Sequence, residues 1–168
     1  LPENYTFRYY ILHALTVPAM NYVAIDEKDN VVGYVLANLD DQTKDQKENG
    51  EALSAHVTSL SVLRTHRKLG IATKLMRASH LSMNKVYNCG SCSLRVRVTN
   101  RAAISLYSGV LGYQITGIEE DYYADGENAF NMVLKFDSES LSKEEVIREN
   151  NEIIDAQKNL DRAATRRV

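Results

Sequence analysis

Apolar residues along this chain change their spacing several times, and each change marks an element. From Tyr5 to Leu15 they fall at helical intervals, and Pro18 lies just beyond. Tyr22 to Ile25 reads as a short strand, residues 26–30 as a turn and Val31 to Leu39 as a second strand, which makes a hairpin. Residues 40–51 contain no apolar side chain and read as a solvated loop. Leu53 to Leu63 is a third strand. Residues 70–86 predict a helix with Ile71, Leu75, Ala78 and Leu81-Ser82 on or near one face. Ser93 to Val98 is a strand. A helix follows from Thr99 or Asn100, the candidate N-caps, through Leu111, with Gly112 as its stop. Gln114 to Glu119 and Ala129 to Phe136 are strands around the loop 120–128. The order α-β-β-β-α-β-α-β-β predicts an α/β fold.

Beyond Phe136 the pattern differs. Ser142-Lys143-Glu144-Glu145 is a capping box, with Leu141 and Val146 placed for a hydrophobic staple. Val146, Ile153 and Leu160 recur every seven residues, as do Ile147 and Ile154. That narrow stripe on a charged helix suits packing on the domain, pairing with another helix, or a half-formed appendage. We therefore place one domain at 1–136 and a charged, helical C-terminal appendage at 137–168.

Composition narrows the class. With 168 residues, 44% hydrophobic and 25% charged, the chain suits one globular domain with a sizeable core. A net charge of −2 argues against nucleic-acid binding by the chain as a whole. No apolar run approaches the ~20 residues of a membrane span, and no leader-like layout opens the chain. It starts at Leu1 rather than Met, so we expect a true N-terminus upstream. Cys89 and Cys92 have the spacing of a redox dithiol, but they run into a strand rather than a helix start, and further zinc ligands at suitable spacing are lacking. Both read as free thiols of a reducing compartment, with no metal.

The chemistry concentrates at Arg67-Lys68-Leu69-Gly70-Ile71-Ala72, where a strand ends in a basic, glycine-containing turn and a helix begins. Unpaired N–H groups and the dipole at a helix start attract anions, Gly70 allows close approach, and Arg67 and Lys68 add charge. A pyrophosphate ligand fits. The bland alternative is a surface turn with two solvated cations. The turn is neither a Walker motif nor the three-glycine dinucleotide fingerprint.

Arg-x-x-Gly-x-Ala after a strand and before a helix resembles the acetyl-CoA signature of the GNAT acetyltransferases. Leu1-Pro-Glu-Asn-Tyr5, Gly33 to Ala37, Val57 to Leu60, Asn100 to Ala103, Leu106 to Ser108 and Tyr122 to Glu127 extend the likeness. In this order, over residues 1–136, they resemble the catalytic-subunit family of the N-terminal acetyltransferase complex NatA. The resemblance implies the GNAT fold, a mixed sheet with flanking helices, whose first strand and helix would precede Leu1. It implies transfer of acetyl from acetyl-CoA to the free α-amine of proteins, with small first residues favoured in complex and acidic ones by the isolated subunit. An inactive CoA-binding scaffold, or an acetyltransferase for one ribosomal protein, are the competing readings.

Residue by residue, the resemblance places the cofactor on Leu60, Ser61 and Val62, on the turn Arg67, Lys68, Leu69, Gly70, Ile71, Ala72 and Thr73, and near Asn100 and Tyr107. Tyr107 would serve the departing thiolate. Glu3 and His56 are candidates for handling the amine's proton, His56 because its ordinary pKa of about 6.5 suits a neutral-pH base. Arg97 matches a family arginine needed for activity; on an alternating strand it shares a face with Arg95 and would orient Glu3 or the peptide. Leu1, Glu3, Tyr5, Tyr122 and Tyr123 would line the peptide cleft. Tyr9, Tyr10, Leu12 and Leu15 would meet a large helical-repeat auxiliary subunit, and through it the ribosome, in the cytoplasm and also the nucleus. A lone histidine, a core tyrosine, a solvated strand face and half-exposed loop aromatics are the structural readings of the same residues.

Overall fold

The computed structural model describes residues 5–42, 49–136 and 143–165, and two compact units divide the chain between Leu94 and Arg95. The first contains α1 (Phe7–Thr16), a 3₁₀ turn (Pro18–Met20), β1 (Tyr22–Ile25), β2 (Val31–Leu39), β3 (Leu53–Val62), a second 3₁₀ turn (Arg64–His66), α2 (Ile71–Lys85) and β4 (Cys89–Arg97) as far as Leu94. Its sheet runs β1-β2-β3-β4. The first three strands are antiparallel neighbours, and β3 pairs with β4 in parallel from Leu53↔Cys89 to Val57↔Leu94. A parallel neighbour needs a crossover, and α2 supplies it.

Strand alternation decides which face each helix covers. A Cβ on Gly33 would lie 3.4 Å from Leu75 of α2, whereas the neighbouring Tyr34 turns its phenol to Tyr10 of α1. The two helices therefore cover opposite faces of this sheet. Met20, Val35, Ala37, Ala55, Val57, Leu75, Met76 and Met83 fill the core between them.

The inner stripe of α2 is Leu75, Met76, Ser79, Ser82 and Met83, and Leu81 is 62% exposed, contrary to the sequence expectation. Two serines lie on this stripe, Ser82, which the pattern places on or near the face, and Ser79, which it does not. Ser79 Oγ donates to the Met20 carbonyl at 2.7 Å, and Ser82 Oγ lies 2.6 Å from the Tyr22 hydroxyl, so both are buried without an unmet hydroxyl. β4 begins at Cys89, four residues earlier than the pattern predicts, because Cys89, Ser91 and Cys92 pair with β3.

The second unit holds the last three residues of β4, then α3, β5 (Gln114–Glu119), β6 (Ala129–Lys135) and α4 (Lys143–Thr165). Here α3 comprises an α-helical turn (Arg101–Ile104) continued as a π-helix (Ser105–Val110). The strand order is β4-β6-β5, with β5 and β6 antiparallel. The C-terminal helix packs on β5 and the π-helical turn rather than standing apart. Its anchor is Asn150, 1% exposed, whose Oδ1 accepts from the Ile115 N–H and whose Nδ2 donates to Ser108 Oγ and the Tyr113 carbonyl. The sequence-based boundary at 136 thus falls inside this unit. Residues 137–142, the side chains of Val146 and Leu160, and with them the staple and most of the heptad pattern, lie outside the described residues.

Candidate functional site

In the first unit the geometry centres on the end of β3 and the turn after it. An antiparallel ladder sends successive backbone groups to alternate edges. The Leu63 N–H bonds the Val32 carbonyl, and Ser61 pairs with Tyr34, so the N–H and C=O of Leu60 and Val62 point to the edge away from β2. Arg67 Nε donates to the Val62 carbonyl at 3.1 Å on that edge and ties the turn to the strand.

The turn then bends through two left-handed residues, Lys68 (φ 63°) and Gly70 (φ 76°). Lysine pays a steric cost there that glycine does not. α2 starts at Ile71 with no side-chain cap and no acidic residue in its first turn. The N–H groups of Ile71, Ala72 and Thr73 precede the first partner within the helix, since the Gly70 carbonyl takes its bond from Lys74. An uncapped helix start beside Arg67 and Lys68 fits a pyrophosphate by the chemistry of its donors.

His56 lies within β3, opposite Ser93 of β4. His56 Nδ1 is 2.9 Å from Ser93 Oγ, and Ser93 Oγ is also placed to donate to the Ala55 carbonyl. Which ring nitrogen carries the proton follows from whether that serine donates to Ala55 or to the imidazole. Tyr5 stacks on Tyr9 with ring centroids 4.5 Å apart. Leu1 and Glu3 lie outside the described residues.

In the second unit Asn100 is the N-cap of α3, its Oδ1 accepting from the Ala103 N–H at 3.2 Å. Tyr107 sits in the π-helical turn, 8% exposed, and packs edge-on against Tyr113. Single π turns inside helices often mark functional positions.

Among the described residues of this unit, the densest polar cluster surrounds Arg97. Its Nη1 lies 2.8 Å from Asp125 Oδ2 and 2.6 Å from Glu127 Oε2, and its guanidinium carbon sits 3.9 Å from the centroid of the Tyr123 ring. Glu127 Oε1 accepts from both the N–H and the hydroxyl of Thr99. Arg95 pairs with Glu119 and lies 5.3 Å from the Tyr122 centroid. The Arg97 bonds hold the Asp125 carboxyl below its ordinary value. Burial raises that of Glu127, but the bonds from Thr99 and Arg97 outweigh it and the net shift is downward.

Sequence reasoning placed Arg97 and Tyr123 but missed Asp125 and Glu127. Two arginines on one strand face need carboxylates nearby, and the loop after β5 offers them within the segment Tyr122 to Glu127. Of the expected partner contacts on α1, Leu12 and Leu15 lie on the surface, joined by Phe7 and Ile11. Tyr10 turns inward instead, to Tyr34, and Tyr9 packs between Tyr5 and His13.

Residues 2–113 match the family described as Acetyltransferase (GNAT). The chain is 46% identical over 166 residues, 99% of this chain and 78% of the relative, to the N-terminal acetyltransferase complex ARD1 subunit homolog of Dictyostelium discoideum. It is 46% identical to the N-terminal acetyltransferase A complex catalytic subunit ard1 of Schizosaccharomyces pombe, over 86% of this chain and 81% of that one. Among solved structures it resembles one from the NatC complex bound to Gag peptide and CoA, with a TM-score of 0.73, 27% identity, and coverage of 82% of this chain and 84% of that chain.

Proposed function

Since this chain belongs to the GNAT acetyltransferase family, we propose that its two polar clusters serve acetyl transfer from acetyl-CoA to the free α-amine of a polypeptide. It is an N-terminal acetyltransferase of the NatA catalytic-subunit type. The observation that carries the site assignment is the end of β3: outward backbone groups at Leu60 and Val62, followed by a left-handed turn and an uncapped helix start.

Bound acetyl-CoA supplies an activated acetyl group as a thioester. Backbone N–H groups at Ile71, Ala72 and Thr73, with Arg67 and Lys68, would hold its pyrophosphate. Leu60 and Val62 would meet its pantetheine arm through main-chain bonds, and Asn100 would lie near the arm's far end. The phenolic proton of Tyr107 would go to the departing thiolate.

An α-amine with a pKa of ~7.7–8.0 is mostly protonated at pH 7 and must lose that proton to attack. His56 and Glu3 are the groups we assign to take it. Tyr122, Tyr123, Leu1 and Tyr5 would hold the first residues of the peptide. Relatives are named as subunits of acetyltransferase complexes, and the exposed Phe7, Ile11, Leu12 and Leu15 of α1 supply an apolar stripe for such a partner. We assign that stripe to a large helical-repeat auxiliary subunit that docks on ribosomes in the cytoplasm. In complex the enzyme would favour small first residues, and alone acidic ones.

The test is turnover of acetyl-CoA on peptides beginning with Ser, Glu and Met, with and without the auxiliary subunit. Turnover on an N-terminal series supports the proposal. No turnover in either state would leave a CoA-binding scaffold, and sink it.

A further inference from the structure

The acids that meet Arg97 do more than neutralise it. Arg97 and Glu127 have side chains only 19% and 22% exposed, while Asp125 is 61% exposed, so Glu127 makes the better-shielded ion pair. Glu127 is held from both oxygens, by Thr99 on one and Arg97 on the other. The same loop is closed on itself. The Tyr123 N–H bonds the Glu127 carbonyl, the Gly126 N–H bonds the Tyr123 carbonyl, and the Glu127 N–H bonds Asp125 Oδ1. Gly126 adopts φ 80°, which the reversal requires.

Tyr123 is thereby fixed from two sides. Its main chain is bonded to Glu127, and its ring lies over the guanidinium that Glu127 and Asp125 hold. Aromatic faces attract cations, and a guanidinium pinned by two carboxylates gives the ring one preferred place. One cation against two carboxylates also leaves a negative charge in excess beside the ring, which favours an approaching ammonium.

We infer that Glu127, assisted by Asp125, is a positioning residue for peptide recognition: it sets Arg97 and through it Tyr123, so that the loop meets the substrate's first residues already formed. The inference rests on the peptide-holding role proposed for Tyr123. Preorganisation of this kind lowers the ordering cost of binding, and its loss falls on the peptide rather than on the cofactor.

The experiment is steady-state kinetics of the full chain on a Ser-first peptide and, in parallel, a Glu-first peptide, for the wild type, Glu127→Gln, Asp125→Asn, Tyr123→Ala and the Glu127→Gln/Tyr123→Ala double variant. Glu127→Gln should raise the peptide KM at least ~5-fold while the acetyl-CoA KM stays within about twofold, the split expected for lost ground-state peptide binding. In the Tyr123→Ala background the same change should add less than about twofold, because the residue it positions is gone. Asp125→Asn, on the exposed side, should give a smaller rise in peptide KM, and it carries the test if Glu127→Gln lowers the melting temperature. An unchanged peptide KM in well-folded Glu127→Gln, or fully multiplicative effects in the double variant, would overturn the inference. A wild type inactive on both peptides would fail the proposed function instead, which keeps the two outcomes apart.

Discussion

Replacing Asn150 with alanine should cost the protein several kcal/mol from a single amide. The side chain is 1% exposed, and its three bonds, at 2.6, 2.8 and 2.6 Å, join α4 to Ile115, Ser108 and Tyr113. Truncation strands two backbone groups, the Ile115 N–H and the Tyr113 carbonyl; the Ser108 hydroxyl can rotate to another acceptor. A buried polar group left unsatisfied costs about 1–3 kcal/mol, so two predict a loss of roughly 3 kcal/mol after partial relaxation. In a chain of this size each kcal/mol lowers the melting temperature by about 2–4 °C, which gives a drop of roughly 6–12 °C. Calorimetry or circular dichroism reads the midpoint directly.

Two controls locate the cause. Asn150→Leu keeps the branched four-atom side chain, with greater bulk, but leaves the same groups stranded, and should melt at least as low as the alanine variant. Asn151→Ala, at an exposed neighbouring position, should lie within about 0.5 kcal/mol of wild type. A drop under about 2 °C for Asn150→Ala, or recovery by leucine, would rule out this anchoring role for the amide. The effect also reaches the proposed site, because Ser108 follows Tyr107 in the π-helical turn and the Tyr113 N–H bonds the Tyr107 carbonyl.

Three further outcomes follow. Gly70→Ala forces a Cβ into a φ of 76° where nothing lies within 4 Å, so it should cost about 1 kcal/mol in a thermal melt and raise the KM for acetyl-CoA at least ~5-fold in initial-rate assays, leaving the peptide KM unchanged. Burial pushes the His80 imidazole down to about 4; the unfolded chain takes up this proton first, so stability should fall as pH drops from about 6.5 towards 4, His80→Gln should flatten that stretch of a stability–pH curve, and an NMR titration midpoint near 6.5 would contradict it. Cys89 and Cys92 are buried, and burial, with the charge of Asp40, raises the Cys89 thiol above its ordinary value, so Ellman's reagent at pH 8 should label neither in the native protein and both after unfolding.

The parts of the fold that were legible are those bracketed by clear turn signals. β1, β2 and β5 have the bounds read from the sequence, Tyr22–Ile25, Val31–Leu39 and Gln114–Glu119, because the turn 26–30, the polar stretch after Leu39, Gly112 and the loop 120–128 delimit them. The start of β4 was not legible, since Cys-Gly-Ser-Cys has the composition of a turn. Pairing with β3 makes it a strand, and a Cβ on Gly90 would come within 2.9 Å of the Ala52 Cβ, so only glycine fits that approach. The face of α2 was read at Leu75 and Ser82 but misjudged at Leu81, and Ser79 was missed because a hydroxyl inside a core looks polar in a sequence. Asn150 was invisible for the same reason: a polar residue on a charged helix gives no sign of being an anchor. At the candidate site, the shape of the turn Arg67 to Thr73 could be read from residue types alone, because a left-handed glycine turn leading into a helix is local backbone geometry. The Arg97 cluster could not, since its carboxylates come from a loop some 30 residues away along the chain, and only the fold brings them together.

The most direct measurement uses one peptide that carries both a free Ser α-amine and an internal lysine, incubated with acetyl-CoA and this protein, with and without the auxiliary subunit, and sequenced by tandem mass spectrometry. An N-terminal acetyltransferase should leave acetyl on the α-amine alone, with the lysine unmodified at every time point. Acetyl on the lysine, or no acetyl on either amine in both states, would contradict it.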